Sequence, residues 1–335
     1  MNVLLIYGGA SPEHEVSIRS AKTVWKGLKA ASHAVRLAYV TKDGEWKLRA
    51  NVDDTAEKPL SHSSGHWVAD GQPLQIDVAF PLIHGLTGED GQLQAHLEQM
   101  HTPYVGCSAD VSRLCFDKYQ TKRKLAAAGI KVSPEVVVRK ADRLPDYAVL
   151  REELGDTLFV KPARSGSSIG VHKVEHETEL ADALQDAFLY DDVSLIERAV
   201  PKPRELEVAV LETSEGVLEA SGVGEIIPGE SFYSYDDKYA AASTAKTDVG
   251  PKLEPALAEQ VRQAALQTAK VLGCQGMVRV DFLYATAEEE LYVNEVNTLP
   301  GFTSISMYPK LWEASGMMLP QLCDRLVRIA AATAW

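Results

Sequence analysis

The chain opens with a short apolar run, Val3 to Tyr7, that stops at Gly8 and Gly9, a pattern that predicts a buried strand. A helical spacing of apolar positions follows over Ser17 to Ala31, then a strand-like run at Val35 to Val40. Residues 51–73 are polar and rich in Ser, Asp, His and Gly, which predicts a surface loop or irregular excursion. A strand at Ile76 to Phe80 and a helix at Gln92 to Met100 complete a β-α-β rhythm. That rhythm predicts a parallel sheet with helices on its faces, ending near residue 106.

The pattern then changes. One helix is expected over Ala109 to Ala128, stopped by Gly129. Strands at Val136 to Arg139, Leu158 to Val160 and Val171 to Val174 follow, with a helix at Glu177 to Leu189 and a strand at Ser194 to Glu197. Beyond Pro201 and Pro203 come alternating strands at Glu205 to Leu211 and Gly216 to Ile227, a polar loop over 228–250, and a helix at Pro255 to Leu272. Two further strands and a C-terminal helix close the chain. Strands in runs with helices set apart predict α+β for these two segments. The 335 residues exceed what one core holds, roughly 250–300. Three units are expected: 1–106, 107–200 and 201–335.

Charge narrows the ligands. Lys and Arg number 34 against 47 Asp and Glu, a formal net charge of −13 with no basic run. Such a chain is a poor binder of a nucleic-acid backbone, so a phosphorylated ligand would need a few placed Lys, Arg or Mg²⁺. The four cysteines form no C-x-x-C pair, which fits small buried thiols in a reducing compartment. No apolar run reaches the length of a membrane span, and 2–7 is too short for a signal peptide. A cytoplasmic protein without a membrane partner is expected.

The chemistry concentrates in five places. Met277 to Tyr284 and Leu291 to Asn297 read as a hairpin. Residues two apart in a strand share a face, so Arg279 with Asp281, and Glu295 with Asn297, point together. If the strands pair, Asp281, Glu295 and Asn297 form one cluster of oxygen donors that suits Mg²⁺ or Mn²⁺. A merely solvated polar face fits the same alternation. Lys161-Pro-Ala-Arg-Ser-Gly-Ser-Ser-Ile-Gly170 is a small-residue loop between strands, able to bring N–H groups to phosphate, or only a hairpin connection. Gly8 to Ser17 joins the first strand to the first helix, where Glu15 is a candidate for a substrate ammonium or a simple helix-start acid. His84-Gly-Leu-Thr-Gly-Glu-Asp-Gly91 occupies the corresponding place after a later strand. Phe232 to Tyr239 puts three tyrosines and Lys238 in a long loop of the kind that forms lids.

Together these motifs resemble the ATP-grasp fold and, within it, the D-alanine-D-alanine ligase family, over nearly the whole chain. The match rests on G-G-x-S-x-E-H-E-V-S from Gly8, H-G-x-x-G-E-D-G from His84, K-P-A-x-x-G-S-S-x-G from Lys161, Y-D-x-K-Y from Tyr235, and the long run from Asn294 to Trp312. The resemblance implies ATP and two D-alanines as substrates, an acyl phosphate intermediate, two Mg²⁺ or Mn²⁺, and a homodimer. It implies that Lys118, Lys161, Ser168 and Lys238 reach the phosphates and that Glu197 and Glu205 bound the adenosine. Asp281, Glu295 and Asn297 would hold the metal ions. Glu15 would hold the first ammonium, with Ser167 and Tyr239 orienting it. His84, Ser306 and Met307 would lie at the second D-alanine. Arg279 and the N–H of Gly301 would stabilise the tetrahedral oxyanion.

Family members making D-alanyl-D-lactate carry His where this chain has Tyr239, so D-alanine is the expected acceptor. A D-Ala-D-Ser or D-Ala-D-lactate ligase is the alternative. A nucleotide-binding protein without turnover would tolerate loss of Arg279 or a metal ligand, and none is missing. A dinucleotide oxidoreductase would need G-x-G-x-x-G after the first strand, which Gly8-Gly9 does not begin. Residues 51–73 have no assigned role, and 240–250 departs from the family's pattern.

Overall fold

The structure is a computed structural model, and it describes residues 1–63, 65–228 and 246–333. Among these residues the strands form sheets of seven, four and five.

The first sheet has the order β6-β5-β4-β3-β2-β1-β7. Its centre is parallel: β1 (Asn2–Gly8) lies between β2 (Ala34–Val40) and β7 (Val78–Pro81). The helix α1 (His14–Ala30) crosses over between β1 and β2. Strand β1 is buried on both faces, which is why it reads as a continuous apolar run.

The expected excursion at 51–73 is instead regular structure. β3 (Trp46–Arg49), β4 (Glu57–Ser63), β5 (His66–Ala69) and β6 (Gln72–Leu74) extend the sheet as an antiparallel meander, so the sheet is mixed. Few apolar residues mark it because only one face is covered, by Leu60, Trp67 and Ala69. The rings of Trp46 and Trp67 stand 5.5 Å apart, and those of His62 and His96 4.4 Å. His96 belongs to α2 (Gln92–Gln99), so this aromatic knot pins the meander to a helix.

The expected helix over 109–128 is two helices, α3 (Ala109–Phe116) and α4 (Lys118–Ala127). The chain breaks at Asp117, which is extended and caps α4 by accepting a hydrogen bond from the Gln120 N–H. A short-range cap thus overrides a continuous helical pattern, and it sets Lys118 at a helix start.

The second sheet is antiparallel in the order β10-β9-β11-β8. Its strands are β8 (Glu135–Arg139), β9 (Leu158–Pro162), β10 (His172–Val174) and β11 (Val193–Arg198). They pack on α5 (Tyr147–Leu154) and α6 (Glu177–Ala187) through Leu150, Leu154, Leu180 and Leu184.

The third sheet has the order β14-β13-β12-β15-β16. It comprises β12 (Arg204–Glu212), β13 (Leu218–Ile227), β14 (Lys246–Asp248), β15 (Met277–Ala285) and β16 (Glu290–Asn297). One face rests on α7 (Pro255–Leu272) through Val261, Ala265 and Ala269. The C-terminal helical segment is divided into α8 (Met307–Ala314) and α9 (Leu319–Ala332).

The largest core cluster is shared by the first and third sheets. Tyr7, Phe80, Phe302, Tyr308 and Leu326 all belong to it. Phe80 and Phe302 meet edge to face at 6.0 Å, a contact worth roughly 0.5–1.5 kcal/mol beyond burial. His33 also joins Asp324 of α9 at 3.0 Å. The four cysteines are buried and free. No helix of the described residues is long and apolar enough to cross a membrane.

Gly8 ends β1 with φ +97°, where a Cβ would lie 2.2 Å from the Val40 carbonyl oxygen. Gly8→Ala is therefore expected to destabilise the protein by about 2–3 kcal/mol. Chemical denaturation checks this, and an unchanged midpoint would contradict it.

Candidate active site

A cleft with about 1380 Å³ of space, open to solvent, lies where loops of the first two sheets meet the third. The third sheet supplies its polar wall. Glu207 pairs in register with Asp281, and Asp281 with Glu295, so three carboxylates stand in one row across β12, β15 and β16. The next row holds Arg279 opposite Asn297. A register shift after Asp281 follows these rows.

Arg279 is the cation of that wall. Its Nε and Nη2 donate to the two oxygens of Asp281 at 2.7 and 2.6 Å, and its Nε lies 3.1 Å from Glu207 Oε2. Burial opposes its charge, but Asp281 and Glu207 overcome this and hold the guanidinium firmly protonated. Lys118 lies 4.0 Å from Glu295 and donates to the Ser165 carbonyl oxygen. Burial pulls the Lys118 amine below its ordinary value, and Glu295 works against this. The Asn297 side-chain oxygen accepts from the Leu299 N–H at 3.0 Å.

Opposite stands Glu13. Its carboxylate accepts a hydrogen bond from Ser167 Oγ and lies between two glycines, with a Cβ on Gly85 meeting it at 2.9 Å and one on Gly166 at 3.2 Å. Three loops thus close around one acid. Ser167 and Ser168 have φ of +52° and +59°. This left-handed backbone is strained for serine and is held by its surroundings. Arg164 contributes by donating from Nε and Nη2 to Asp191 at 2.9 and 2.6 Å, at the base of the same loop.

Glu15 does not take the place expected of it. It is exposed on the first turn of α1, and Glu13 faces the cleft. Helical spacing accounts for the difference: Ser17, Ser20 and Val24 are buried, and Glu13 lies on their stripe at i−4 while Glu15 points outward. That stripe was the signal in the sequence that separates the two acids.

His84 is buried, with Nε2 3.1 Å from Ser20 Oγ and Nδ1 3.2 Å from the Leu299 carbonyl oxygen. Burial opposes its protonation, but Glu89, 3.7 Å away, and Glu13 raise its pKa above the ordinary imidazole value. Glu89 lies five residues on in the same motif, and a turn in which the Gly88 and Glu89 N–H groups donate to the Gly85 carbonyl oxygen brings it back to His84. Ser20 also accepts the Phe302 N–H at 3.1 Å, tying the 298–306 loop to α1. In that loop Ser306 Oγ accepts the Thr303 N–H at 3.0 Å and stands where a Cβ on Gly301 would clash at 2.8 Å. Gly301, Ser306 and Met307 all line the cleft, as does Glu205.

Lys161, Ser168 and Glu197 lie outside the lining formed by the described residues. Lys161 pairs with Glu197 at 2.9 Å. Lys122, unnoticed in the sequence, joins Glu197 at 2.7 Å and Glu135 at 2.5 Å in a nearly dry cluster. Lys238 and Tyr239 fall outside the described residues. Among the described residues no three histidine, cysteine, aspartate or glutamate side chains are placed to share a metal ion. Asp281 spends both oxygens on Arg279 instead.

A cleft where two antiparallel sheets meet, with Lys118 and a row of acids in its lining, is the arrangement of an ATP-grasp enzyme. The structure superposes on the D-alanine-D-alanine ligase from Coxiella burnetii with a TM-score of 0.88, at 34% identity over 99% of this chain and 95% of that one. It superposes equally, at 0.88 and 30% identity over 98% and 99% of the two chains, on the VanG D-Ala:D-Ser ligase from Enterococcus faecalis. Family models for the D-ala D-ala ligase N-terminus and C-terminus match residues 2–107 and 125–328. D-alanine--D-alanine ligase A of Escherichia coli K12 is 40% identical over 351 residues, 98% of this chain and 95% of the relative. The chain belongs to the D-alanine-D-alanine ligase family.

Because the His84 pKa is raised, the stability it contributes is complete below about pH 6.5 and disappears as the pH climbs through the raised value. The stability difference between wild type and His84→Gln is expected to shrink from about pH 6 to about pH 9. Urea titrations at the two pH values check this; a difference that grew would contradict it.

Proposed function

We propose that this chain uses ATP to join two D-alanines into D-alanyl-D-alanine, a peptidoglycan precursor, and that it works as a cytoplasmic homodimer. The observation that carries the reading is the placing of Glu13, fixed by Ser167, in the same cleft as Arg279. One acid suited to an ammonium and one guanidinium suited to an oxyanion then share a cavity.

Glu13 takes the ammonium of the first D-alanine, the role first expected of Glu15, and Ser167 keeps it aimed. Lys118 and Lys161 meet the ATP phosphates, with Ser168 in the loop that covers them and Lys238, outside the described residues, as a further phosphate contact. Glu197 and Glu205 bound the adenosine. Asp281 and Glu295, in register on adjacent strands, offer carboxylate oxygens and Asn297 an amide oxygen, a donor set that fits Mg²⁺ or Mn²⁺. Bound there, two such ions would neutralise phosphate charge. The first D-alanine carboxylate then attacks the γ-phosphoryl group, ADP leaves as the bridging P–O bond breaks, and the acyl phosphate formed must be kept from water by the cleft. The amine of the second D-alanine attacks the acyl carbon and phosphate leaves. Arg279 and the Gly301 N–H hold the oxyanion formed on the way. Ser306 and Met307 meet the carboxylate of the second D-alanine, near His84. Tyr239, outside the described residues, keeps the role at the substrate that the family resemblance implies. In domain terms, 1–106 carries the substrate acid, and 107–200 and 201–335 enclose the nucleotide.

Glu13→Gln is expected to lower kcat/KM for D-alanine by about 100-fold, roughly 3 kcal/mol of lost binding in the transition state. Glu15→Gln should stay within about twofold of wild type, as exposed substitutions do. Phosphate release with D-alanine and MgATP checks both. The same assay with D-serine or D-lactate offered beside D-alanine tests the acceptor, and a faster rate with either would replace D-alanine in that role.

A further inference from the structure

The row Glu207, Asp281, Glu295 contains one acid more than the metal reading uses. We infer that Glu207 is the standing counterion of Arg279, which lets Asp281 leave the guanidinium and turn to a divalent cation. The inference rests on the reading that Asp281 and Glu295 hold that cation.

The geometry supplies the reasons. Asp281 gives both of its oxygens to Arg279 in a two-pronged pair. Such a pair uses the directions a carboxylate would offer to a metal. Metal and guanidinium therefore compete for Asp281. Arg279 is only 17% exposed, so stripping it of its acid would strand a buried charge. Glu207 removes that penalty. Its Oε2 lies 3.1 Å from Arg279 Nε, and its side chain is 11% exposed.

Glu207 is badly placed to be a ligand itself. It lies on β12, with β15 between it and Glu295 on β16, so the backbones of the two glutamates are two strand spacings apart, about 10 Å. A cation between Asp281 and Glu295 has Glu207 behind Asp281. Glu207 is thus a positioning residue that acts through Arg279. It also keeps the guanidinium in the cleft at the step where the oxyanion forms.

The test is Mn²⁺ binding to the full-length protein with ADP present, read from the electron paramagnetic resonance signal of free Mn²⁺. Asp281→Asn comes first: loss of a bound Mn²⁺ supports the metal reading, and unchanged binding overturns that reading together with the inference. Glu207→Gln should weaken Mn²⁺ by about tenfold, because Arg279 then holds Asp281 without the Glu207 carboxylate at its Nε. Glu207→Asp, which keeps the charge, should stay within about threefold. Arg279→Gln should bind Mn²⁺ several-fold more tightly than wild type, because Asp281 is released; this arm stands even if Glu207→Gln does not fold. In the Arg279→Gln background, Glu207→Gln should have no further effect. Equal weakening by Glu207→Gln in both backgrounds would make Glu207 a ligand and overturn the inference. Unchanged affinity in Glu207→Gln, or unchanged or weaker affinity in Arg279→Gln, would overturn it as well.

Discussion

Carboxylates side by side on neighbouring strands repel, and Glu207, Asp281 and Glu295 are held in one row by the register of β12, β15 and β16. Arg279 stands in the adjacent row and meets two of the three. This arrangement leaves two of the three acids in contact with a cation and keeps a guanidinium inside the cleft. Lys118 balances the far end of the row, near Glu295. The charge on this wall is nearly all compensated within the protein, which suits a chain whose net charge is −13 and whose ligand is an anion.

The opposite wall is arranged by close approach. Gly85 and Gly166 let two loops press on the Glu13 carboxylate, and Ser167 reaches it from a left-handed backbone. The strain is affordable because Arg164 and Asp191 anchor the base of the loop. Behind the site, Ser20 links His84 to Phe302, and Phe302 packs on Phe80 in the core shared by the first and third sheets. Glu13, His84 and the 298–306 loop are therefore set by one continuous packed body rather than by separate loops.

Much of this was legible beforehand. The hairpin was read correctly because a strand's period of two fixes which side chains share a face, and Arg279 with Asp281 do. The meander at 57–74 was not legible: one covered face leaves too few apolar residues to signal strands. The break at Asp117 was hidden because a side-chain cap interrupts a pattern that continues on both sides. Glu13 and Glu15 were confused because two acids two residues apart look alike until the helix phase is known.

Local spacing and residue chemistry carried the order of elements and the motif loops, since these depend on neighbours within a few positions, and the family resemblance of those motifs carried the class of reaction. Contacts between distant segments were decided by folding. Glu207 beside Arg279 and Lys122 between Glu135 and Glu197 are pairings across 72, 13 and 75 residues. No periodicity encodes them, because each depends on which strand or helix lies next to which, and that is fixed only when the sheets pack around a common core.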